Sequence, residues 1–385
     1  MPNTLTNLQP DLYEALDTVS RELVGFIPSV TLDSGVERAA VGQNIRSFVT
    51  PASESQDITP GVTVPNDGDQ EILNQTMTIS KAKGVRVRWN GEEQRGLNTG
   101  GGYNPILRDQ FAQAMRTLTN EIESDLAGLY STMSRAYGTA GTTPFASTLT
   151  DSAQVRKILA DNGAPLTDMQ LVIDTTAGAK MRTLTNLTKA NEAADSSLLR
   201  QGVLLDVHGM QIRESAQIGV HTAGTVTDDP TVTGVEPIGE TTINVTTDAG
   251  DGVALLKGDA ITIAGDTNKY IVAADVTIGV STTGDILIQE PGLRQATAGA
   301  EAVSVGAAYT PNMAFSRSAI VLATRAPARP SEGDMAEDVM IITDPRSGLA
   351  FEIALYKQYR QISYEVSMAW GWKNFKTAHT AILLG

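Results

Sequence analysis

The sequence contains no cysteine in 385 residues. Disulfides and thiolate metal sites are therefore excluded, and a reducing, intracellular place of assembly is expected. Histidine is scarce as well, with only His208, His221 and His379. None of these forms a pair at the helical or strand spacing that a metal centre needs. A Gly-x-Ser-x-Gly nucleophile elbow is missing. The acidic pair Asp228-Asp229 sits in a turn-like stretch, where solvation explains it. An enzyme is not expected, nor is a cofactor or a metal.

Long apolar runs are missing too, so no membrane partner is expected. The first residues, MPNTLTNLQPDLYEAL, lack the basic flank and apolar core of a signal peptide. Positive charge is in short supply, since 29 Lys and Arg face 44 Asp and Glu, a formal net charge of −15. No local basic patch offsets this, which argues against a sequence-reading nucleic-acid binder. Such a charge keeps copies apart, so any assembly must use specific surfaces.

What is present is organised around residues 104–137, NPILRDQFAQAMRTLTNEIESDLAGLYSTMSRAY. Phe111, Met115, Leu118, Ile122, Leu126, Leu129, Met133 and Tyr137 fall at steps of three and four. This predicts one helix of roughly 50 Å, a spine. Asn104 and Pro105 suit its start and Gly138 its end. Gly100–Gly102 before it reads as a turn, because no Gly-Lys-Ser/Thr follows to hold phosphate.

Ahead of the spine, Leu8, Leu12, Leu16, Val19 and Leu23 predict an amphipathic N-terminal helix stopped by Gly25. It packs on its own subunit or docks on a neighbour. Residues 50–80 read as a long protruding hairpin-like loop with acids Glu54, Asp57, Asp67, Asp69 and Glu71, either solvated or reaching a neighbour. In MTISKAKGVRVRW, Val85, Val87 and Trp89 alternate with arginines as in a half-buried strand.

After the spine come a helix at 152–161, a strand at 170–174, a helix at 175–191, and a strand after a turn at His208-Gly209. Mixed strands and helices indicate an α+β or α/β arrangement. From 222 to 310 helical periodicity disappears. Short runs at 241–247, 260–264, 270–273, 285–289 and 301–305 predict a small all-β barrel or sandwich. This stretch has twelve acids and three bases. Its DAGDG stretch, Asp248 to Gly252, lacks EF-hand spacing and reads as a charged hairpin tip, with Asp248 and Asp251 as candidate contacts. NMAFSRSAIVLATRAPARP (312–330) reads as a strand-like run. Phe351, Ile353 and Leu355, then Ile362, Tyr364, Val366, Met368 and Trp370, predict an antiparallel pair turning near 357–360, a floor for the spine.

The order of these parts, with LTNLTKANEA, LLRQGVLLDVHGMQIRES and AFSRSAIVLATR, resembles the major capsid proteins of tailed bacteriophages. The β region between Ser215 and Ala314 resembles that of the coat proteins of short-tailed Salmonella phages. The resemblance implies an α+β, Hong Kong phage-type capsid fold with an inserted β-barrel. The implied division is 1–49 N-terminal arm and start of the peripheral domain, 50–80 extended loop, 81–149 peripheral domain with the spine, 150–221 axial domain, 222–310 insertion, 311–340 axial return, and 341–385 peripheral strand pair. It also implies a virion shell of hexamers and pentamers, assembled in the host cytoplasm with a scaffolding protein and a portal protein, enclosing double-stranded DNA. An acidic inner wall would not trap that DNA. Leu12, Leu16, Glu54, Asp57, Asp67, Asp69, Asp248 and Asp251 are the candidate subunit contacts. A cellular nanocompartment shell and a surface-binding protein using its β module are the alternatives.

Overall fold

The computed structural model describes residues 24–35, 37–49, 57–58, 60–62, 73–98, 103–188, 206–227, 229–248, 252–344 and 348–385. The expected N-terminal helix, Gly100–Gly102 and most of the long loop lie outside them.

The described chain begins with a buried anchor at 24–30, where Ile27–Ser29 forms a 3-10 turn. Then come β1 (Thr31–Ser34), β2 (Asn44–Val49), β3 (Leu73–Thr78) and β4 (Lys81–Asn90). β2 and β3 pair antiparallel from Asn44↔Thr78 to Val49↔Leu73. They form a two-stranded stalk, and most of residues 50–72, which join the two strands, lie outside the described residues. Helix α1 (Gly91–Asn98) follows β4. Its start is a reciprocal cap: the Glu93 N–H donates to Asn90 Oδ1 at 2.8 Å, and the Asn90 N–H to Glu93 Oε2 at 3.0 Å.

The spine, α2, spans Tyr103–Ala127. It buries Leu107, Phe111, Met115, Leu118, Ile122 and Leu126. The helix expected over 104–137 stops ten residues early. Residues Gly128–Thr132 tighten to a 3-10 turn, and Arg135–Tyr137 is a strand, β5. The apolar steps misled because Leu129 and Met133 enter the same core without being α-helical. Gly128, Ser131, Thr132 and Ser134 weaken the helix here. Pairing of β5 on both sides then decides the outcome.

Next are α3 (Thr150–Asp161), β6 (Met169–Ile173), α4 (Thr175–Arg182), α5 (Thr185–Thr188) and β7 (Met210–Glu214). The single helix expected at 175–191 is broken at Thr183 and Leu184, and its expected end lies beyond the described residues. Asp174 caps α4 by accepting from Thr176 and Ala177 N–H groups. The His208-Gly209 turn is present, with φ of 53° and 74°.

The β region holds β8 (Thr225–Val226), β9 (Thr231–Val232), β10 (Thr242–Thr246), β11 (Val253–Leu255), β12 (Ala260–Ile263), β13 (Lys269–Ile271), β14 (Val276–Ile278), β15 (Thr283–Leu287) and β16 (Val303–Val305). The chain ends with β17 (Pro311–Ser316), β18 (Ile320–Arg325), β19 (Ala336–Thr343), β20 (Ala350–Gln358), β21 (Gln361–Asn374) and β22 (Thr380–Leu384).

Two large sheets organise these strands. One is six-stranded, ordered β1-β18-β21-β20-β19 with β4 also paired to β21. The expected strand pair is its centre, with Gln358↔Gln361 closing the turn. The spine lies on it, and the Phe111 and Tyr364 rings meet edge to face at 5.3 Å. Phe351, Ile353, Val366, Met368 and Trp370 share the spine's core. The other sheet is eight-stranded, ordered β16-β12-β13-β5-β22-β17-β6-β7. The run expected as one strand at 312–330 is two strands. β17 belongs to the eight-stranded sheet and β18 to the six-stranded one, with a 3-10 turn at Arg317–Ala319 between them.

The β region also has two three-stranded sheets, β15-β10-β9 and β14-β11-β8. Together with β12, β13 and β16 they enclose one core that includes Val232, Ile243, Val253, Ile261, Tyr270 and Ile286. The expected hairpin tip at Asp248 is not one. β10 and β11 lie in different sheets, and residues 249–251 between them lie outside the described residues.

Candidate assembly surfaces

A loop leaving the stalk offers the first surface. Asp57 is exposed, and beside it Ile58 and Val62 are 99% and 107% exposed. Glu54, Asp67 and Asp69 lie outside the described residues. Asp248 is exposed on the β region, its carbonyl accepting from Ser281 N–H at 3.1 Å; its expected companion Asp251 is also outside. The structure thus places Asp57 and Asp248 on separate elements.

The second feature fixes where the N-terminal segment leaves the body; Leu12 and Leu16 of that segment lie outside the described residues. Glu123, on the spine, is 1% exposed. Its carboxylate accepts the Gly25, Phe26 and Ile27 N–H groups at 2.5, 2.6 and 3.1 Å. Gly25 is required there because a Cβ would meet the Glu214 carbonyl at 2.7 Å. Ser29 Oγ donates back to the Gly25 carbonyl at 2.6 Å. Burial pushes the Glu123 carboxyl above the usual carboxylate range, although the three N–H donors and Ser215 pull it down.

The spine is tied to β4 by charge. Lys81 Nζ lies 3.0 Å from Glu121 and 2.8 Å from Asp125, and Trp370 Nε1 donates to Asp125 Oδ2 at 2.9 Å. Burial raises the Glu121 carboxyl, but Lys83 and Lys81 outweigh it and hold it low. At the far end of this sheet, Trp89, Asn90, Glu92, Lys357, Arg360 and Ile362 line an open cleft of about 680 Å³. Tyr359, at the adjoining turn, is 89% exposed.

The fourth feature is a polar cluster at the neck of the β region. His221 stands before the region's first strand and Tyr309 after its last, and the two exchange backbone hydrogen bonds at 2.8 and 3.3 Å. His221 Nδ1 lies 2.9 Å from the Tyr130 hydroxyl, and Nε2 lies 2.8 Å from Asp259 Oδ1. Asp259 also accepts from Gly224 and Leu256 N–H groups. Tyr309 donates to the Gly258 carbonyl at 2.6 Å. Burial pushes both tyrosine hydroxyls up, so they stay protonated and donate. Because the Tyr130 hydroxyl donates, Nδ1 is the acceptor, and Nε2 is left to donate to Asp259. The group resembles a relay, but it is buried: His221 is 5% and Asp259 1% exposed.

Sequence reasoning missed Glu123, Tyr130, His221 and Asp259. A faint signal existed for Glu123, since an acid directly beside the Ile122 and Leu126 stripe has to find partners. For the neck there was none, because its members are 91, 38 and 51 residues apart in pairs. Among the described residues no group of three or more His, Asp and Glu could hold a metal ion.

No family model and no curated protein sequence matches the chain. Solved structures do. The capsid of the cyanophage P-SCSP1u is 12% identical, with a TM-score of 0.50 over 94% of this chain and 88% of that one. Mycobacterium phage Che8 is 12% identical, with a TM-score of 0.48 over 90% and 88%. The capsid of a native GTA particle is 10% identical, with a TM-score of 0.47 over 94% and 90%. Of these three the cyanophage match carries weight, and at such identity it speaks for the fold and not for the activity. With a spine laid on a long strand pair and a second, eight-stranded sheet, the chain has a mixed α+β fold like that of the cyanophage capsid.

Proposed function

We propose that this chain is a major capsid protein of a tailed phage, assembling into a closed icosahedral shell. The observation that carries the reading is the match in fold to the cyanophage capsid over nearly the whole of both chains. The shell is built of hexamers and pentamers, forms around a scaffolding protein, carries a portal, and encloses double-stranded DNA. The net charge of −15 suits a wall that does not hold DNA.

In this reading the spine and its six-stranded sheet form the peripheral domain, and α3, α4 and the central strands of the other sheet form the axial domain. Residues 222–310 form the inserted barrel of the short-tailed Salmonella phage type. Three sheets around one core support this, as do the bridges Val272↔Ile288 and Thr231↔Ala302 that stitch sheet to sheet. The loop at 50–72 locks a neighbour, and exposed Ile58 and Val62 are the side chains with most to gain.

Electron microscopy with sedimentation tests the reading, on the chain expressed with and without a scaffolding protein. Uniform closed shells that depend on the scaffold are expected; small particles under both conditions would refute it. Deleting residues 54–69 is expected to leave a folded chain that forms no closed shell. Normal shells from the deletion would remove the locking role alone.

A further inference from the structure

The β region is attached to the body by backbone pairing and by side chains, among them Arg294, which donates to the Asp161 carbonyl of α3 at 3.1 Å. β13 pairs with β5 (Tyr270↔Arg135, Lys269↔Ala136), so the eight-stranded sheet runs without interruption from body into β region. The two chain crossings, at His221 and Tyr309, are paired to each other. Side chains add a third set of ties. Arg135 reaches Asn268 Oδ1 at 2.7 Å, Lys269 Nζ donates to the Gly138 carbonyl at 2.6 Å, and Gln289 Nε2 to the Ser131 carbonyl at 2.9 Å. Apart from Asp161, every one of these body partners lies between 128 and 138, the segment where the spine stops being α-helical.

The neck cluster joins the same two parties through side chains in the interior. Tyr130 belongs to the 3-10 turn that ends the spine, and Met133 N–H donates to the Tyr130 carbonyl at 3.1 Å. Asp259 belongs to the β region and fixes its local backbone through Gly224 and Leu256. His221 stands between them. The Tyr130, His221 and Tyr309 rings pack at 5.4, 5.0 and 6.4 Å between centroids, leaving the imidazole little room to turn. The side of the cluster facing Gly258 is equally close: a Cβ there would lie 3.0 Å from Tyr130 and 3.3 Å from His221.

We propose that the neck is a two-way coupling joint, in which Tyr130–His221–Asp259 ties the opening of the spine's last turn to the opening of the β region's first loops. Neither side loosens without the other, because the imidazole presents one ring nitrogen to each. Buried polar chains of this kind act as a unit. The relevant property is a coupling between distant segments, which must be reciprocal. The proposal concerns the isolated chain and stands or falls apart from shell formation.

Amide hydrogen exchange on the full-length chain tests it. Asp259→Asn changes a residue of the β region. It is expected to speed exchange across 128–133 about tenfold, the equivalent of one hydrogen bond's net contribution. Tyr130→Phe changes a residue of the spine's end and keeps its ring packing. It is expected to speed exchange at His221, Gly224 and Leu256 by a similar factor. Asn244→Ala, which removes the Asn244–Asp285 contact away from the neck, should leave 128–133 unchanged. Effects confined to the mutated side would overturn the proposal, and so would a uniform rise over the whole chain. If Asp259→Asn does not fold, Tyr130→Phe still decides between these outcomes.

Discussion

Glu123→Ala is expected to lower the unfolding free energy by about 3 kcal/mol or more. The reason is the asymmetry of buried hydrogen bonds. The Gly25, Phe26 and Ile27 N–H groups share one acceptor group, and alanine leaves all three without it. An unsatisfied buried donor costs about 1–3 kcal/mol, so three of them outweigh the relief of removing a buried charge. Urea unfolding of native chain and variant measures this, and a loss below about 1 kcal/mol would mean that water replaces the carboxylate easily. A pH series adds a sign. The folded Glu123 carboxyl titrates above its unfolded value, so its contribution is fully present below the unfolded pKa and is lost as pH rises through the folded pKa. Native chain should therefore lead Glu123→Gln by most in acid and by less at neutral pH. A gap that widens with pH would show that the three N–H groups overcome burial.

Trp370→Ala is expected to cost about 4 kcal/mol, at the upper end for core truncations. Trp370 is the largest of the fully buried side chains among the described residues, and it belongs to the core shared by the spine and its sheet. Its loss opens a cavity and also removes an N–H from Asp125, which keeps Lys81. Trp370→Phe fills most of the space and loses only the N–H. It should fall between the two, about 1–2 kcal/mol below native. Equal losses from both variants would place the effect in the hydrogen bond and not in the packing. The neighbouring Gly371 sharpens the picture, since a Cβ there would meet the Thr78 carbonyl at 2.3 Å. The stalk's base thus rests directly on the sheet at a point where only glycine fits.

These residues also show what could be read in advance. The spine's body, the β4 alternation and the β20–β21 pair were legible because each buries one face, and one-sided burial writes its period into the sequence. The end of the spine was not legible. Leu129 and Met133 keep the helical step, while the conformation is set by β22 and β13, whose residues lie more than a hundred positions away. The passage from β17 to β18 failed for the same reason: Ala314 and Leu322 are alike in composition but serve different sheets. Resemblance of the whole order to capsid proteins reached further than any local pattern, because it carries long-range pairing that propensity lacks. Yet it gave no hint of Glu123 or of the neck, whose partners meet only in three dimensions.

The pairing of β4 with β21 and of β5 with β22 has a consequence in time. β4 ends at Asn90 and its partner begins at Gln361. A ribosome adding about 5–20 residues per second needs roughly 15–50 s to cover that interval. Throughout it, β4 lacks its partner, the spine has no floor, and β5 lacks its parallel neighbour. Such high contact order slows folding and leaves strand edges open to other chains. The same delay means that no surface resting on β21 exists before residues 361–374 have been made. A chain that has not yet reached β21 therefore lacks the central strand of its six-stranded sheet.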